Sequence, residues 1–136
     1  MILVDTGPFV ALFNAADSEH QRSLEKLKLI DEPLMTTVPV LTEAFHILEP
    51  DSAGAYQLRE FVIQGGTSLW FFNYKNLTRA FELMEKYSDH PMDLADASLV
   101  TAAETLGTKK IFTIDRNDFT TYKAKIGHRY THFEMI

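Results

Sequence analysis

Residues 2–12, Ile2-Leu3-Val4-Asp5-Thr6-Gly7-Pro8-Phe9-Val10-Ala11-Leu12, contain the pattern that decides the fold. The apolar run at residues 2–4 is short and is followed by turn residues, which is typical of a buried strand. Pro8 fits the first turn of a helix, because a residue at that position needs no backbone N–H. We therefore expect a strand, a tight turn and a helix, with Asp5 at the carboxyl end of the strand.

The rest of the chain alternates between helical and strand patterns. We predict helices over residues 18–31, 39–48, 52–64, 76–87 and 93–106, and strands over residues 34–38, 68–72, 110–114 and 130–136. Such alternation favours a parallel sheet with helices on both faces. The predicted fold class is α/β, a three-layer α/β/α arrangement around a central, mostly parallel sheet. The length of 136 residues and the absence of repeats or linkers predict one domain over residues 1–136.

Composition excludes several classes of site. The chain has no cysteine, which rules out thiolate zinc sites, cysteine nucleophiles and a disulfide scaffold. No apolar segment approaches the ~20 residues of a membrane span, and the first residues lack the basic region of a signal peptide. We therefore expect a cytoplasmic protein without a membrane partner.

The net charge of −6 is unusual for a nucleic-acid-binding protein, which is commonly basic. The charge is unevenly distributed, because residues 1–108 carry −9 and residues 109–136 carry +3. A basic C-terminal part on an acidic body can still contact phosphates locally. Scattered, solvated lysines explain the same composition equally well.

Two acids follow predicted strands, Asp5 after residues 2–4 and Asp115 after residues 110–114. In parallel α/β sheets, ligands bind beyond the carboxyl ends of the strands. This placement favours a functional role for both acids. Each of them, taken alone, also fits a turn or a helix cap.

Three further acids lie on predicted helices. Glu43 is flanked by apolar neighbours at helical spacing and either borders the apolar stripe or points inward. Asp93 and Asp96 share one face of a helix start, where Asp93 is a good N-cap and Asp96 is able to complete a capping box. A purely structural role as a helix cap explains Asp93 better than it explains Asp96. The small neighbours of Asp96 allow its helix to pack closely on the sheet and to hold Asp96 at the cleft.

A cluster of these acids requires a cation. Like charges within ~4–6 Å raise one another's pKa, and burial adds to the effect. Oxygen ligands without cysteine or a histidine pair favour Mg²⁺ or Mn²⁺ over zinc. Such an ion activates water and neutralises a phosphodiester.

Four segments in order also resemble the motifs of PIN domains. Residues 4–12 look like the opening motif, and Glu43 follows Thr42 as the second acid of the family does. Residues 93–100 and 111–119 look like the third and fourth motifs. The resemblance spans essentially the whole chain and implies a metal-dependent endoribonuclease.

The resemblance also implies roles for individual residues and partners. Compact members of this size are similar to VapC-type toxins, which cleave RNA, commonly form homodimers and are neutralised by an antitoxin protein. The alternative is a PIN-fold RNA-processing or RNA-binding protein without toxin or catalytic activity. By resemblance, the catalytic acids are Asp5, Glu43, Asp96 and Asp115, the metal ligands are Asp5, Asp96 and Asp115, and the accessory residues are Thr6, Asp93 and Asp118.

Arg116, directly after Asp115, is the residue that we expect to contact a substrate phosphate. Two other enzyme or signalling classes fit the pattern less well. A haloacid-dehalogenase-like phosphatase needs a second Asp two positions after the first, and position 7 is Gly. A receiver-like module needs a strand-end Lys and paired acids early in the chain, where Asp5 stands alone.

Overall fold

The computed structural model describes residues 1–136 and contains seven helices and seven strands. In chain order these are β1 (Ile2–Val4), α1 (Thr6–Phe13), α2 (His20–Leu29), β2 (Leu34–Thr37), α3 (Val38–Leu48), α4 (Ala53–Ile63), β3 (Ser68–Trp70), α5 (Tyr74–Lys86), α6 (Leu94–Leu106), β4 (Lys110–Phe112), α7 (Arg116–Thr121), β5 (Lys123–Ile126), β6 (Arg129–His132) and β7 (Glu134–Met135).

The central sheet has five strands in the order β3-β2-β1-β4-β7, and every neighbouring pair is parallel. At its centre, Leu3 of β1 is paired with Met35 on one side and with Ile111 on the other. The central strand β1 is covered on both faces and is therefore apolar throughout rather than alternating. All three residues of β1 are buried. The predicted α/β class with a central parallel sheet is confirmed.

The order of the strands creates a crevice at the carboxyl ends of β1 and β4. The chain runs from β1 to β2 and β3 in one direction and then returns past β1 to reach β4. Right-handed crossovers therefore place α5 and α6 on the face opposite α1, α3 and α4. The direction reverses between β1 and β4, and in open α/β sheets ligands bind at the carboxyl ends of the strands at such a point.

One hydrophobic cluster of 28 buried residues joins the layers, from Ile2 in β1 to Phe133 before β7. Near its C-terminal end, the ring of Phe119 packs edge-on against the rings of Tyr122 and Phe133, at centroid distances of 5.5 and 5.3 Å. These contacts fix α7 and the last strands to the core. No helix combines the length and apolar character needed to cross a membrane.

The C-terminal part differs from the sequence prediction. The sequence predicts one edge strand over residues 130–136, but β6 pairs antiparallel with β5 as a separate hairpin, and only β7 joins the sheet. Gly127 has a φ of +65°, which allows the two-residue turn of this hairpin. The expected turn after Asp115 is the short helix α7, whose first turn Asp115 caps.

The other predicted elements occur within two residues of their expected ends, which is the usual uncertainty of element boundaries. The helical spacing predicts that Phe81 faces inward, but Phe81 is 54% exposed and Leu83 is buried instead, because the inward face of α5 is rotated by about a quarter of a turn. The aromatic run at residues 68–72 predicts a buried strand, but β3 is an edge strand that ends at Trp70, and Phe71 beyond it is 65% exposed.

Gly54 allows α1 and α4 to approach closely. A Cβ atom at this position would lie 2.3 Å from the backbone oxygen of Phe13, a distance that requires the backbone to move. The same helices are joined by the rings of Phe13 and Phe61, whose centroids are 5.5 Å apart. The absence of a side chain at position 54 is therefore a packing requirement.

We predict that Gly54→Ala lowers the free energy of unfolding by about 1–3 kcal/mol, because the added methyl group forces a backbone shift. Urea unfolding followed by circular dichroism measures this change. Gln57→Ala, at an exposed position of the same helix, is the control and should change stability by less than about 0.5 kcal/mol. Equal stability of the Gly54 variant and the parent would contradict the packing interpretation.

Candidate active site

The crevice between the carboxyl ends of β1 and β4 opens into a cleft of about 660 Å³. Neither lysine nor arginine lines it. The lining includes eight carboxylates, those of Asp5, Asp17, Glu19, Glu43, Asp93, Asp96, Asp115 and Asp118. The structure thus brings every acid predicted for the site to one cavity, although these acids are up to 113 positions apart in the chain.

Asp5 occupies the floor of the cleft and is held by β1, α1 and the end of β4. Its backbone N–H donates to the carbonyl of Phe112 at 3.0 Å, and one carboxylate oxygen accepts from the Thr6 N–H at 2.8 Å. The other oxygen accepts from the Thr113 hydroxyl at 2.9 Å. The strand-end placement and the N-cap role expected for Asp5 therefore both occur, so the two interpretations do not exclude one another.

Thr6 and Glu43 face each other beside Asp5. The Thr6 hydroxyl is buried and has no partner in hydrogen-bond geometry, which is a costly state for a polar group. Its proximity lowers the pKa of Glu43, but burial and then the charge of Asp93 raise that pKa more strongly. An unpartnered hydroxyl in an acidic cleft favours a bound ligand at this point.

Asp96 lies at the start of α6, where the capping box expected from the sequence is present. The Asp96 N–H donates to Asp93 at 2.8 Å, and the Asp93 N–H donates to Asp96 at 3.4 Å. The hydroxyl of the fully buried Tyr122 lies 3.2 Å from the Pro91 carbonyl and 3.5 Å from the Asp96 carboxylate, and its one proton is shared between these two acceptors. These contacts orient the Asp96 carboxylate toward the cleft while the backbone continues as a helix.

Asp115 and Asp118 form the opposite rim. Asp115 caps α7 by accepting from the Asp118 N–H at 3.4 Å, and the carboxylate of Asp118 lies 2.8 Å from Nε2 of His90. Burial and the neighbouring Asp115 raise the pKa of Asp118, whereas His90 lowers it. The His90–Asp118 contact is an ion pair only when His90 is protonated.

Repulsion and burial together raise the proton affinity of the cleft. Burial, followed by Glu43 and Asp93, raises the pKa of Asp5 to about 6, although the Thr6 N–H and the Thr113 hydroxyl oppose the shift. Burial, followed by Asp93, Asp5 and Asp118, raises the pKa of Asp96 to about 8. Both shifts mean that the site disfavours its own negative charge in the absence of a cation.

The donor set fits a hard divalent cation. It consists of carboxylate oxygens and the free hydroxyl of Thr6, the ligand types that Mg²⁺ and Mn²⁺ prefer. With the side chains as they stand, no three acids or histidines converge closely enough to hold a metal without further ligands. Mg²⁺ usually retains several waters and binds through one or two carboxylates plus substrate phosphates. Joint ligation by Asp5, Asp96 and Asp115 stays a prediction.

Arg116, which the sequence predicts to contact a substrate phosphate, is exposed outside the acidic cleft and lines a smaller groove beside it. Several other residues at the site were not predicted from the sequence. His90 and Tyr122 contact Asp118 and Asp96, but neither has a spacing that signals such a role. Asp17 and Glu19 reach the cleft through the turn after α1, where the side chain of Asp17 accepts from the Glu19 N–H at 2.8 Å.

These features define an α/β protein with a carboxylate-lined cleft at the switch point of a parallel sheet. The sequence profile of the PIN domain matches residues 2–125. The chain therefore belongs to the PIN domain family. The resemblance of the four motifs is confirmed.

Relatives and solved structures agree with this assignment. The chain is 26% identical over 133 residues to the protein named ribonuclease VapC26 of Mycobacterium tuberculosis, covering 96% of this chain and 98% of that protein. The crystal structure of M. tuberculosis VapC20, a toxin that cleaves the sarcin–ricin loop, matches with a TM-score of 0.80 and 19% identity, over 87% of this chain and 92% of that one. A toxin–antitoxin complex from Klebsiella pneumoniae matches with a TM-score of 0.67 and 15% identity, over 89% and 92% of the two chains. At these identities the structural matches show a shared fold.

We predict that the metal-free protein loses stability as pH rises from about 4 to about 8. The folded pKa values of Asp5 and Asp96 lie above the ordinary value of 3.8, so the folded state binds more protons than the unfolded state within this window. Its melting temperature in EDTA should fall by about 5 °C or more across the window.

Asp96→Asn should remove most of this dependence and raise the melting temperature at pH 8 in EDTA. Asp51→Asn, at an exposed position outside the cleft, should keep the parental pH profile. A melting temperature that is constant, or that rises from pH 4 to pH 8, would contradict the repulsion described here.

Proposed function

We propose that this protein is a Mg²⁺- or Mn²⁺-dependent endoribonuclease and the toxin of a toxin–antitoxin pair. The observation that carries the proposal is the acidic cleft, in which eight carboxylates and no lysine or arginine surround a point where ligands bind in α/β sheets. Membership of the PIN domain family supports the same activity, as does the name of the VapC26 relative.

The chain's own groups supply a scaffold for metal-assisted hydrolysis. A bound divalent ion would provide an attacking water of lowered pKa and would neutralise charge on the phosphodiester. Asp5, Asp96 and Asp115 are the residues that would hold it. Asp5 is oriented by the Thr6 N–H and the Thr113 hydroxyl, so little side-chain entropy would be lost on binding.

Glu43 is suited to accept a proton from the attacking water. Its pKa is raised by burial and by Asp93, which brings a carboxylate closer to the range in which a general base works near neutral pH. Thr6 offers its unpartnered hydroxyl next to Glu43, while Asp93 and Asp118 act as accessory acids on the rims.

We also propose a domain organisation and a protein partner for this chain. We infer that residues 1–136 form one nuclease domain, since the buried cluster includes residues from both ends of the chain. An antitoxin protein is the expected partner, because a toxin–antitoxin complex is among the structures that share this fold. The homodimer and the cytoplasmic location, implied by the resemblance and the composition respectively, stay predictions.

The decisive experiment is an RNA-cleavage assay on the purified chain with Mg²⁺ or Mn²⁺. We expect cleavage in the presence of either ion and none in EDTA. Asp5→Asn should reduce the rate by about a hundredfold or more, because even residues that only orient metal ligands contribute 10–100-fold in such sites. Circular dichroism and a thermal melt verify that the variant is folded.

Asp51→Asn is the matched control, since it removes one exposed carboxylate outside the cleft and should leave the rate unchanged. Cleavage by Asp5→Asn at the parental rate, or cleavage that persists in EDTA, would refute the proposed mechanism. RNA binding without any cleavage would support the alternative of a non-catalytic PIN-fold protein.

A further inference from the structure

We propose that a narrow basic groove beside the acidic cleft binds a phosphate of the RNA strand next to the scissile one, through Arg22, Lys26 and Arg116. This inference rests on the proposed function, because it takes RNA as the substrate of the cleft. It adds a second binding subsite and predicts that the preferred substrate is longer than a dinucleotide.

The groove is formed where α2 passes the carboxyl end of β4. It has a volume of about 60 Å³, comparable with a phosphate group and too small for a nucleobase. Helix α2 contributes Arg22, Ser23 and Lys26, and the chain after β4 contributes Thr113 and Arg116. Three of these five side chains are cationic, whereas Ser23 and Thr113 are buried beneath them.

The groove and the cleft share a wall. Glu19 and Ile114 line both cavities. Thr113 lines the groove, and its hydroxyl donates to the carboxylate of Asp5 at 2.9 Å. A strand whose scissile phosphate lies above Asp5 would therefore have a neighbouring phosphate within reach of the groove.

The cations of the groove are available for an incoming anion. Arg116 is exposed and forms no ion pair, and Arg22 makes only a surface pair of 3.6 Å with Glu19. Lys26 donates to the backbone oxygen of Ile136 at 3.2 Å and keeps further donors. Exposed ion pairs of this kind contribute little, so exchanging Glu19 for a phosphate would cost little.

The negative charge of the cleft explains why RNA binding needs a cationic subsite beside it. The chain carries −6 and the charged side chains that line its cleft are all carboxylates, so a polyanion needs a positive surface close to the cleft in order to bind there. The groove is such a surface, and it adjoins the cleft directly. A phosphodiester strand presents anions on both sides of the reacting bond, which matches a cationic subsite beside an acidic centre better than a single small anion does.

The test compares two double variants with the same loss of charge. Lys26→Gln/Arg116→Gln removes two cations from the groove, and Lys28→Gln/Arg129→Gln removes two exposed cations that do not line it. Cleavage of a fluorescent RNA oligonucleotide gives KM and kcat for each. Binding of the same RNA is measured against salt concentration with Asp5→Asn added to each protein, so that the RNA is not cut during the measurement.

We expect the groove variant to raise KM about tenfold and to change kcat less than twofold, while the control stays within twofold of the parent. The slope of log affinity against log salt should become shallower by about 0.7 for each RNA phosphate that the variant no longer neutralises. With a dinucleotide substrate the groove variant and the parent should behave alike, because no flanking phosphate is present.

The outcomes separate this inference from the proposed function. Equal KM values and equal salt slopes for the two double variants, with the parent active, would overturn the subsite and leave the ribonuclease assignment standing. A parent that neither binds nor cleaves RNA would overturn both. Equal melting temperatures for the two variants ensure that the comparison reflects binding rather than folding.

Discussion

Repulsion between carboxylates at the switch point of the sheet is the interaction on which the rest of the site depends. The fold brings Asp5, Asp93 and Asp118 into Coulombic range of Asp96, and burial together with repulsion raises the pKa of Asp5 and of Asp96. Holding these carboxylates together costs free energy, and the packing of the parallel sheet and of the 28-residue core offsets that cost. A bound divalent cation relieves this repulsion, so the same carboxylates favour metal binding. Metal binding in turn stabilises the folded protein.

The local structure holds the acids by giving them backbone roles. Asp5 caps α1, Asp93 and Asp96 form the capping box of α6, and Asp115 caps α7. Each cap satisfies an N–H at a helix start and at the same time aims a carboxylate at the cleft. Considered alone, each acid is explained either as a helix cap or as a site residue. In the structure the same side chains do both. The basic groove beside the cleft complements it by attracting the chain of phosphates that the cleft alone would repel.

Much of this arrangement was predictable, because it depends on local patterns. The strand-turn-helix at residues 2–12 and the capping box at Asp93 follow from short-range chemistry, and the acids were predicted from their positions after strands and on helices. The β5–β6 hairpin, helix α7 and the contacts of His90 and Tyr122 were not predicted, because they depend on tertiary packing between segments that share no sequence signal. Arg116 was predicted to contact a substrate phosphate, and that contact stays a prediction. Its side chain lines the groove beside the cleft, and the cations of α2 that line the same groove were not anticipated.

The most direct test of the account is an NMR titration of the carboxyl carbons of Asp5 and Asp96, assigned with Asn variants, in the presence and absence of Mg²⁺. We expect a pKa of about 6 for Asp5 and about 8 for Asp96 in the metal-free protein. Both values should fall below the ordinary aspartate value of 3.8 when Mg²⁺ saturates the cleft. Ordinary pKa values without metal, or values that do not move when Mg²⁺ is added, would contradict it.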